Sequence, residues 1–531
     1  MQLTSLLSTC VLRRLTTGKI ARFIACAALL NVLPTHAQTT LHPQNQTHTS
    51  AALTNTPCID DSNAVDVFGA QCYSLTVAEN PQAANGRNLD LHITRLPALQ
   101  ETQKPPLFFI AGGPGQASSD LLAVFRHEFS GLLVDHDFVF VDQRGTGHSA
   151  PLNCDTDLLP LAALSPDALE AKAIENLKAC ITETTATTKA DFRYYTTPYA
   201  VADLHQVRQA LGYDSIFLWG GSYGTRVVLD YLRRHGDTVA GAILDGIAPI
   251  AIQLPTFAER DGSRALAAVF QRCESAPQCR AAFPDLSARW QQHLQKLSDA
   301  PTAVELKHAR TQEAHTVYVN EQVVSAWVRL IMYSRNIVPI LPLALDRATQ
   351  GDYSLLFSVY SVGLDSMAEG ISELMQTAVL CAEDARYSQL YPTQVDDAGH
   401  LLRLPTRNGF DKSCALFPAS TLTTEYFAPV KSDVPSLLLS GQLDPVTPPS
   451  WGDEAGQTLS RSQHVIVNNG HHIVSRLGCV PAIIERFVAA PNAVEKLDTG
   501  CVENIAPPHF FIDAAGPTMQ KTLDAAGAAH D

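Results

Sequence analysis

The stretch Ile216-Phe217-Leu218-Trp219-Gly220-Gly221-Ser222-Tyr223-Gly224 decides the fold. Four apolar residues run into a glycine-flanked serine, and a helical segment, Tyr223–Arg234, follows with Val227, Val228 and Tyr231 on one face. A short continuous apolar run fits a strand buried on both faces of a parallel sheet. Gly236, just past the helical segment, is expected as its C-cap. A serine in Gly-x-Ser-x-Gly between strand and helix is the setting of a nucleophile elbow. The turn is tight, so Gly220 and Gly224 are needed to make room for crowded backbone. The serine then sits at a helix N-terminus, where the dipole favours developing negative charge. The bland alternative is a glycine-rich turn with a surface serine.

Outward from this point the same grammar repeats. Leu107–Ile110, Phe138–Val141, Val239–Leu244, Ser436–Leu439 and His464–Val467 are further apolar runs. Helical stretches lie between them, Ala200–Leu211 and Ile473–Val488 among others. Alternating strands and helices predict an α/β fold with a doubly wound, mostly parallel sheet. Two stretches break the alternation. Residues 151–198 read as mostly helical, and residues 255–425 as an inserted, mainly helical cap domain. The core is therefore expected in two parts, 38–254 and 426–531, with a flexible leader over 38–56 and a loosely held C-terminal tail.

Composition narrows the function. The chain has 531 residues, 46% hydrophobic and 17% charged, enough to bury a large core. A formal charge of −15 argues against a nucleic-acid partner, because phosphate would be repelled. No His-Glu-x-x-His and no Cys-x-x-Cys occurs, so neither a familiar zinc site nor any other metal or cofactor is expected. Residues 1–37 carry Arg13, Arg14, Lys19 and Arg22, no acid, a short apolar run from Phe23 to Leu33, and Ala37 at a small-residue cleavage point. That pattern predicts a signal peptide and export to the periplasm or the medium, with no stable membrane anchor. Ten cysteines follow, an even number, which reads as a disulfide framework in an oxidising compartment. Their spacing suggests nearest-neighbour pairs: 58–72, 154–180, 273–279, 381–414 and 479–501.

Serine is a poor nucleophile at neutral pH; it needs a base, and the base needs an orienting carboxylate. In this architecture the chain order is serine, acid, histidine. Asp444 follows the run Leu437–Leu439 and is the expected acid. Thr447-Pro448 behind it reads as an N-cap with proline opening a helix. After the next strand comes Asn468-Asn469-Gly470-His471-His472; His471 is the expected base and His472 its rival. The oxyanion needs two donors. One is the backbone N–H of Tyr223, the other an N–H of the loop Gly112-Gly113-Pro114-Gly115, from Gly113 or else Gly112, since Pro114 has none. Asp142 and Arg144 are expected as a buried ion pair fixing a loop near the site, with Arg144 on substrate as the alternative.

Several blocks together carry a resemblance. Ala-Gly-Gly-Pro-Gly at 111–115 is similar to the His-Gly-Gly-Pro-Gly signature of prolyl aminopeptidases, with Ala111 in place of the first histidine. Asp142-Gln143-Arg144-Gly145-Thr146-Gly147-His148-Ser149, Gly220–Gly224, Asp245-Gly246, Asp444-Pro445-Val446-Thr447-Pro448 and Gly470-His471 follow in order. The chain resembles the tripeptidyl-aminopeptidase-like branch of that serine peptidase family. The resemblance implies an α/β-hydrolase core, a helical cap, no metal, and release of residues or short peptides from free N-termini. It places Ser222, Asp444 and His471 at the triad positions. An aminopeptidase must also hold a substrate ammonium, and carboxylates of the 255–425 segment are expected to do so. Glu383 and Asp384 are the first choice, Glu369 and Glu373 the others. An esterase or lipase-like hydrolase on the same core is the alternative function, and a non-catalytic binding protein a more remote one.

Overall fold

A computed structural model describes residues 53–58, 69–83, 85–154, 164–368, 370–392, 400–404 and 407–516. The expected signal segment 1–37 and Glu369 lie outside these residues. Nine strands form one sheet in the order β1-β2-β3-β5-β4-β6-β7-β10-β11. They are β1 (Thr54–Thr56), β2 (Gln71–Ala78), β3 (Asn88–Leu96), β4 (Leu107–Ile110), β5 (Phe138–Val141), β6 (Ile216–Gly221), β7 (Val239–Asp245), β10 (Ser436–Gly441) and β11 (Ser462–Val467). From β5 to β11 every pairing is parallel, whereas β1, β2, β3 and β5 pair antiparallel. The chain is thus an α/β fold around a mostly parallel sheet.

The apolar runs became strands because both faces of the sheet are covered. Every residue of β4, β5 and β10 is buried. Side chains alternate between the two faces. Phe108 and Leu218 join one core layer, Phe109 and Trp219 the other. Trp219 sits among Phe109, Phe125 and Phe129, with ring centroids 4.7–5.3 Å away.

Between β7 and β10 the chain runs through helices; Ala258–Ser275, Glu321–Ile331 and Leu341–Thr349 surround a third apolar core, while Glu373–Leu380 packs on the sheet core. This segment also holds an antiparallel hairpin, β8 (Thr302–Lys307) with β9 (Ala314–Val319), in a stretch expected to be largely helical. The helix expected over 473–488 starts only at Val480. Its first residues instead form the turn behind His472, held by Asp245. Gly236 is right-handed helical (φ −59°) and opens a 3-10 turn, so the helix before it needs no left-handed cap. The end of the expected leader is strand β1, paired with β2. The ten cysteines form the five nearest-neighbour disulfides: 58–72, 154–180, 273–279, 381–414 and 479–501. No helix among the described residues is long and apolar enough to cross a membrane.

Candidate active site

Parallel strands leave their C-terminal ends on one edge of the sheet, where ligands of such folds bind. Five of these ends meet here: those of β4, β6, β7, β10 and β11. The turn after β6 carries Ser222 at φ 55°, ψ −125°, a strained conformation for a residue with a side chain. Ser222 N–H donates to the Asp245 carbonyl at 2.8 Å, and Thr225 Oγ1 donates to the Ser222 carbonyl at 2.6 Å. Glycine is obligatory around it. A Cβ on Gly224 would stand 2.8 Å from the Ala111 carbonyl oxygen, and one on Gly220 would stand 2.5 Å from the Gly224 carbonyl. The first N–H of the following helix, that of Tyr223, has no partner within the helix by construction.

The loop after β4 packs directly on this turn. A Cβ at Gly112 would lie 2.9 Å from Ser222 Cβ. Gly113 adopts φ 105° and lines the same cleft as Ser222. The segment 371–376 is seated on the loop: Ser372 N–H donates to the Gly115 carbonyl at 2.9 Å, and Gln376 Nε2 to the Pro114 carbonyl at 3.2 Å.

Asp444 follows β10 and is fully buried. Its Oδ1 accepts the backbone N–H groups of Val446 (2.7 Å) and Thr447 (2.8 Å). Its Oδ2 accepts Thr447 Oγ1 at 2.8 Å and His472 Nδ1 at 2.9 Å. Burial pushes this carboxyl up, but the charge and hydrogen bond of His472 and the two backbone amides outweigh it and hold it at about 2. Thr447 therefore serves the acid; the helix behind it begins at Pro449 with Pro448 as its cap.

The histidine beside the acid is His472, and the expectation of His471 is corrected. His472 lines the Ser222 cleft, with the Tyr333 ring edge-on at 5.2 Å. His471 is buried on the other side of the chain, and its Nδ1–H donates to the Met332 carbonyl at 2.8 Å. Desolvation lowers its pKa to about 4. The reason is the turn after β11. Leu443 N–H latches the Gly470 carbonyl at 2.8 Å, and Gly441 lies so close that a Cβ there would stand 2.7 Å from the Gly470 carbonyl carbon. This close approach sets which of two consecutive side chains faces the acid. Beyond His472, the Asp245 carboxylate accepts Val474 N–H (2.9 Å) and Ser475 N–H (2.8 Å) and pins the turn. Burial raises its pKa. Asp245 was quoted above only within a motif block; an aspartate closing a buried strand was the available signal for its role.

Glu383 and Asp384 are also corrected: neither lines the cleft. Both are fully buried in a π-helical turn, Cys381–Ala385, and face the helix that follows Ser222. Asp384 takes Arg226 Nη1 at 2.7 Å and Nη2 at 3.0 Å. Glu383 accepts Thr197 N–H (2.7 Å), Tyr426 Oη–H (2.6 Å) and Arg226 Nη1 (3.2 Å). Burial pushes the Glu383 carboxyl up against the opposing pull of Arg226. Arg144 is buried as expected, but its partner is Asp203 (2.6 and 2.7 Å) and not Asp142. Asp142 instead accepts the Ser119 and His148 backbone N–H groups at 2.9 and 3.1 Å.

Ser222, Gly113 and His472 share a cleft of about 530 Å3, open to solvent, with Phe125, Trp219, Leu254 and Ile371 in its walls. Arg329 and Tyr333 also line it; sequence reasoning missed both, since neither lies in a motif.

Residues 105–281 match the family model of the α/β hydrolase fold, and residues 406–501 that of the TAP-like proteins. The protein YuaR of Escherichia coli K12 is 30% identical over 162 residues, covering 30% of this chain and 31% of that protein. The tripeptidyl aminopeptidase of Streptomyces lividans is 26% identical over 192 residues, 33% of this chain and 35% of that protein. The proline iminopeptidase of Neisseria gonorrhoeae is 27% identical over 143 residues, 27% of this chain and 32% of that protein. The chain thus spans about a third of the length of each of these relatives. Fold, elbow and matched segments agree: the chain has the α/β-hydrolase fold, and its residues 406–501 are similar to the TAP-like proteins.

Proposed function

We propose that this chain is an exported serine hydrolase, an aminopeptidase that releases single residues or short peptides from free N-termini. One observation carries the reading. Ser222, on its strained turn, faces the same cleft as His472, whose Nδ1 lies 2.9 Å from Asp444 Oδ2. Ser222 Oγ attacks the scissile carbonyl carbon as His472 Nε2 takes its proton. Asp444 orients the ring and stabilises the imidazolium. The backbone N–H groups of Tyr223 and Gly113 hold the oxyanion. His472 then protonates the leaving amine, and water releases the acyl group by the same route.

The peptide substrate is supported by the relatives named as aminopeptidases, and export by the five disulfides. Glu383 and Asp384 are engaged by Arg226, and Glu373, although it follows Ser372, which is bonded to the glycine loop, does not line the cleft. One observation keeps an ester substrate in play: among the described residues the only carboxylate lining the cleft is Asp245, which is used by backbone amides.

Replacing Ser222 with Ala is expected to abolish turnover and fluorophosphonate labelling while leaving the thermal melt intact. Full activity in that variant would overturn the assignment. Matched peptides, free or acetylated at the N-terminus, test the rest, with products identified by mass. Cleavage of the free peptides alone is expected; equal cleavage of both would remove the aminopeptidase reading and favour esters.

A further inference from the structure

Among the described residues, the cleft contains a cation without a counter-ion. Arg329, on the helix Glu321–Ile331, lines it together with Ser222 and His472. Its stem runs beside Gly262, where a Cβ would stand 3.7 Å from Arg329 Cδ. Nη1 donates to Tyr333 Oη at 3.3 Å, and the guanidinium stands 5.5 Å from the Tyr333 ring centroid. The same Tyr333 ring packs on His472. Nε is buried with no hydrogen-bond partner, and among the described residues Arg329 forms no ion pair.

Two buried arginines are matched by carboxylates: Arg144 pairs with Asp203 and Arg226 with Asp384, at 2.6 and 2.7 Å. Arg208 and Arg272 donate to backbone carbonyls instead. Arg329 has neither kind of partner among the described residues and lines the cleft, although a half-buried guanidinium without a carboxylate is costly. Asp245, the one carboxylate lining the cleft among the described residues, already accepts two backbone amides. Arg264 Nη2 donates to the Asp444 carbonyl at 3.1 Å. A guanidinium presents a planar fork of donors that fits a carboxylate in bidentate fashion.

We infer that Arg329 anchors a substrate carboxylate, so that the preferred substrates of this cleft are anionic at one end. The inference rests on the serine-hydrolase reading and names a substrate class within it. The carboxylate is either the free C-terminus of a short peptide or an acidic side chain. A substrate ammonium would be repelled from this wall and must lie at the other end of the cleft.

Two peptide pairs separate the sources: free acid against C-terminal amide, and Glu against Gln in a peptide amidated at its C-terminus. The readout is the ratio of kcat/KM within each pair. The intact enzyme is expected to favour the carboxylate by roughly 10–100-fold in one pair, and that pair identifies the source. In Arg329→Met the ratio should collapse to about one, with Arg329→Lys between the two. No preference in either pair, or a preference unchanged in Arg329→Met, would overturn the anchor. Calorimetry on Ser222→Ala reads the same acid-to-amide ratio as Kd, without turnover and without depending on the folding of an Arg329 variant. Failure of the serine reading shows separately, as absent fluorophosphonate labelling of the unaltered enzyme.

Discussion

Asp444 keeps its charge because four donors surround it, and that charge defines which histidine can serve Ser222. His472 Nδ1 is bonded to it, so Nε2 is left for the serine and the substrate. His471, one residue away, is bonded to the Met332 carbonyl. Its pKa of about 4 lies below the ordinary histidine range, so it folds as a neutral ring. As pH falls below about 6.5 the unfolded chain takes up this proton before the folded one. Stability is therefore expected to fall between about pH 6.5 and 4, by roughly 3 kcal/mol from this residue. Asp444, held at about 2, acts at lower pH, its contribution lost only as pH falls from about 4 toward 2. His472→Gln should cost about 10⁴-fold or more in kcat, as loss of a triad base does elsewhere. His471→Gln should keep most of the activity and flatten the dependence of the denaturation midpoint on pH between 7 and 4. If His471→Gln is the inactive variant of the two, the placement of the base is wrong.

At the scale of elements, the helix Tyr223–His235 is gripped from its buried side by the π-helical turn Cys381–Ala385. Arg226 meets both carboxylates of that turn, and the Tyr223 hydroxyl is 2.8 Å from Thr197 Oγ1, itself bonded to Glu383. The turn thus holds the helix whose first residue follows the nucleophile. The span Glu383-Asp384, expected to bind substrate, is anchored beside the Cys381–Cys414 disulfide, but its carboxylates point inward, onto Arg226. Glu383→Ala would leave the Thr197 amide and the Tyr426 hydroxyl buried without an acceptor. It is expected to lower unfolding free energy by about 3–5 kcal/mol, with Glu383→Gln losing less. Chemical denaturation of the two variants measures this; equal stability of Glu383→Ala and the parent would show the network to be dispensable.

On the scale of the whole molecule, the sheet order gathers five loops from residues 111 to 475 onto one edge, and five disulfides staple neighbouring segments of the chain. Cys381–Cys414 bridges 33 residues and holds the first residue of the π-helical turn. Replacing both cysteines with Ser is expected to destabilise the fold by roughly 2–4 kcal/mol and to lower the thermal midpoint. A midpoint within about a degree of the parent would mean that packing alone holds this segment.

The sequence by itself determined the strands and the elbow. Apolar runs such as Phe138–Val141 have only one burial solution in a parallel sheet, and Gly220 is demanded by backbone contacts with Gly224 and Thr225, whereas Gly224 answers to the carbonyls of Ile110 and Ala111 on a neighbouring strand end. Cysteine spacing suggested the nearest-neighbour disulfides without fixing them; the tertiary structure brings those pairs together. Asp444 was legible from its place after a buried strand. Only the tertiary structure decided between His471 and His472, since that choice depends on how closely Gly441 approaches the turn 468–470. Only it turned Glu383 and Asp384 toward Arg226, paired Arg144 with Asp203 and brought Arg329 to the cleft. Local rules govern strand burial and tight turns; the direction of a side chain across distant segments is set by packing between them, which no short stretch of residues contains.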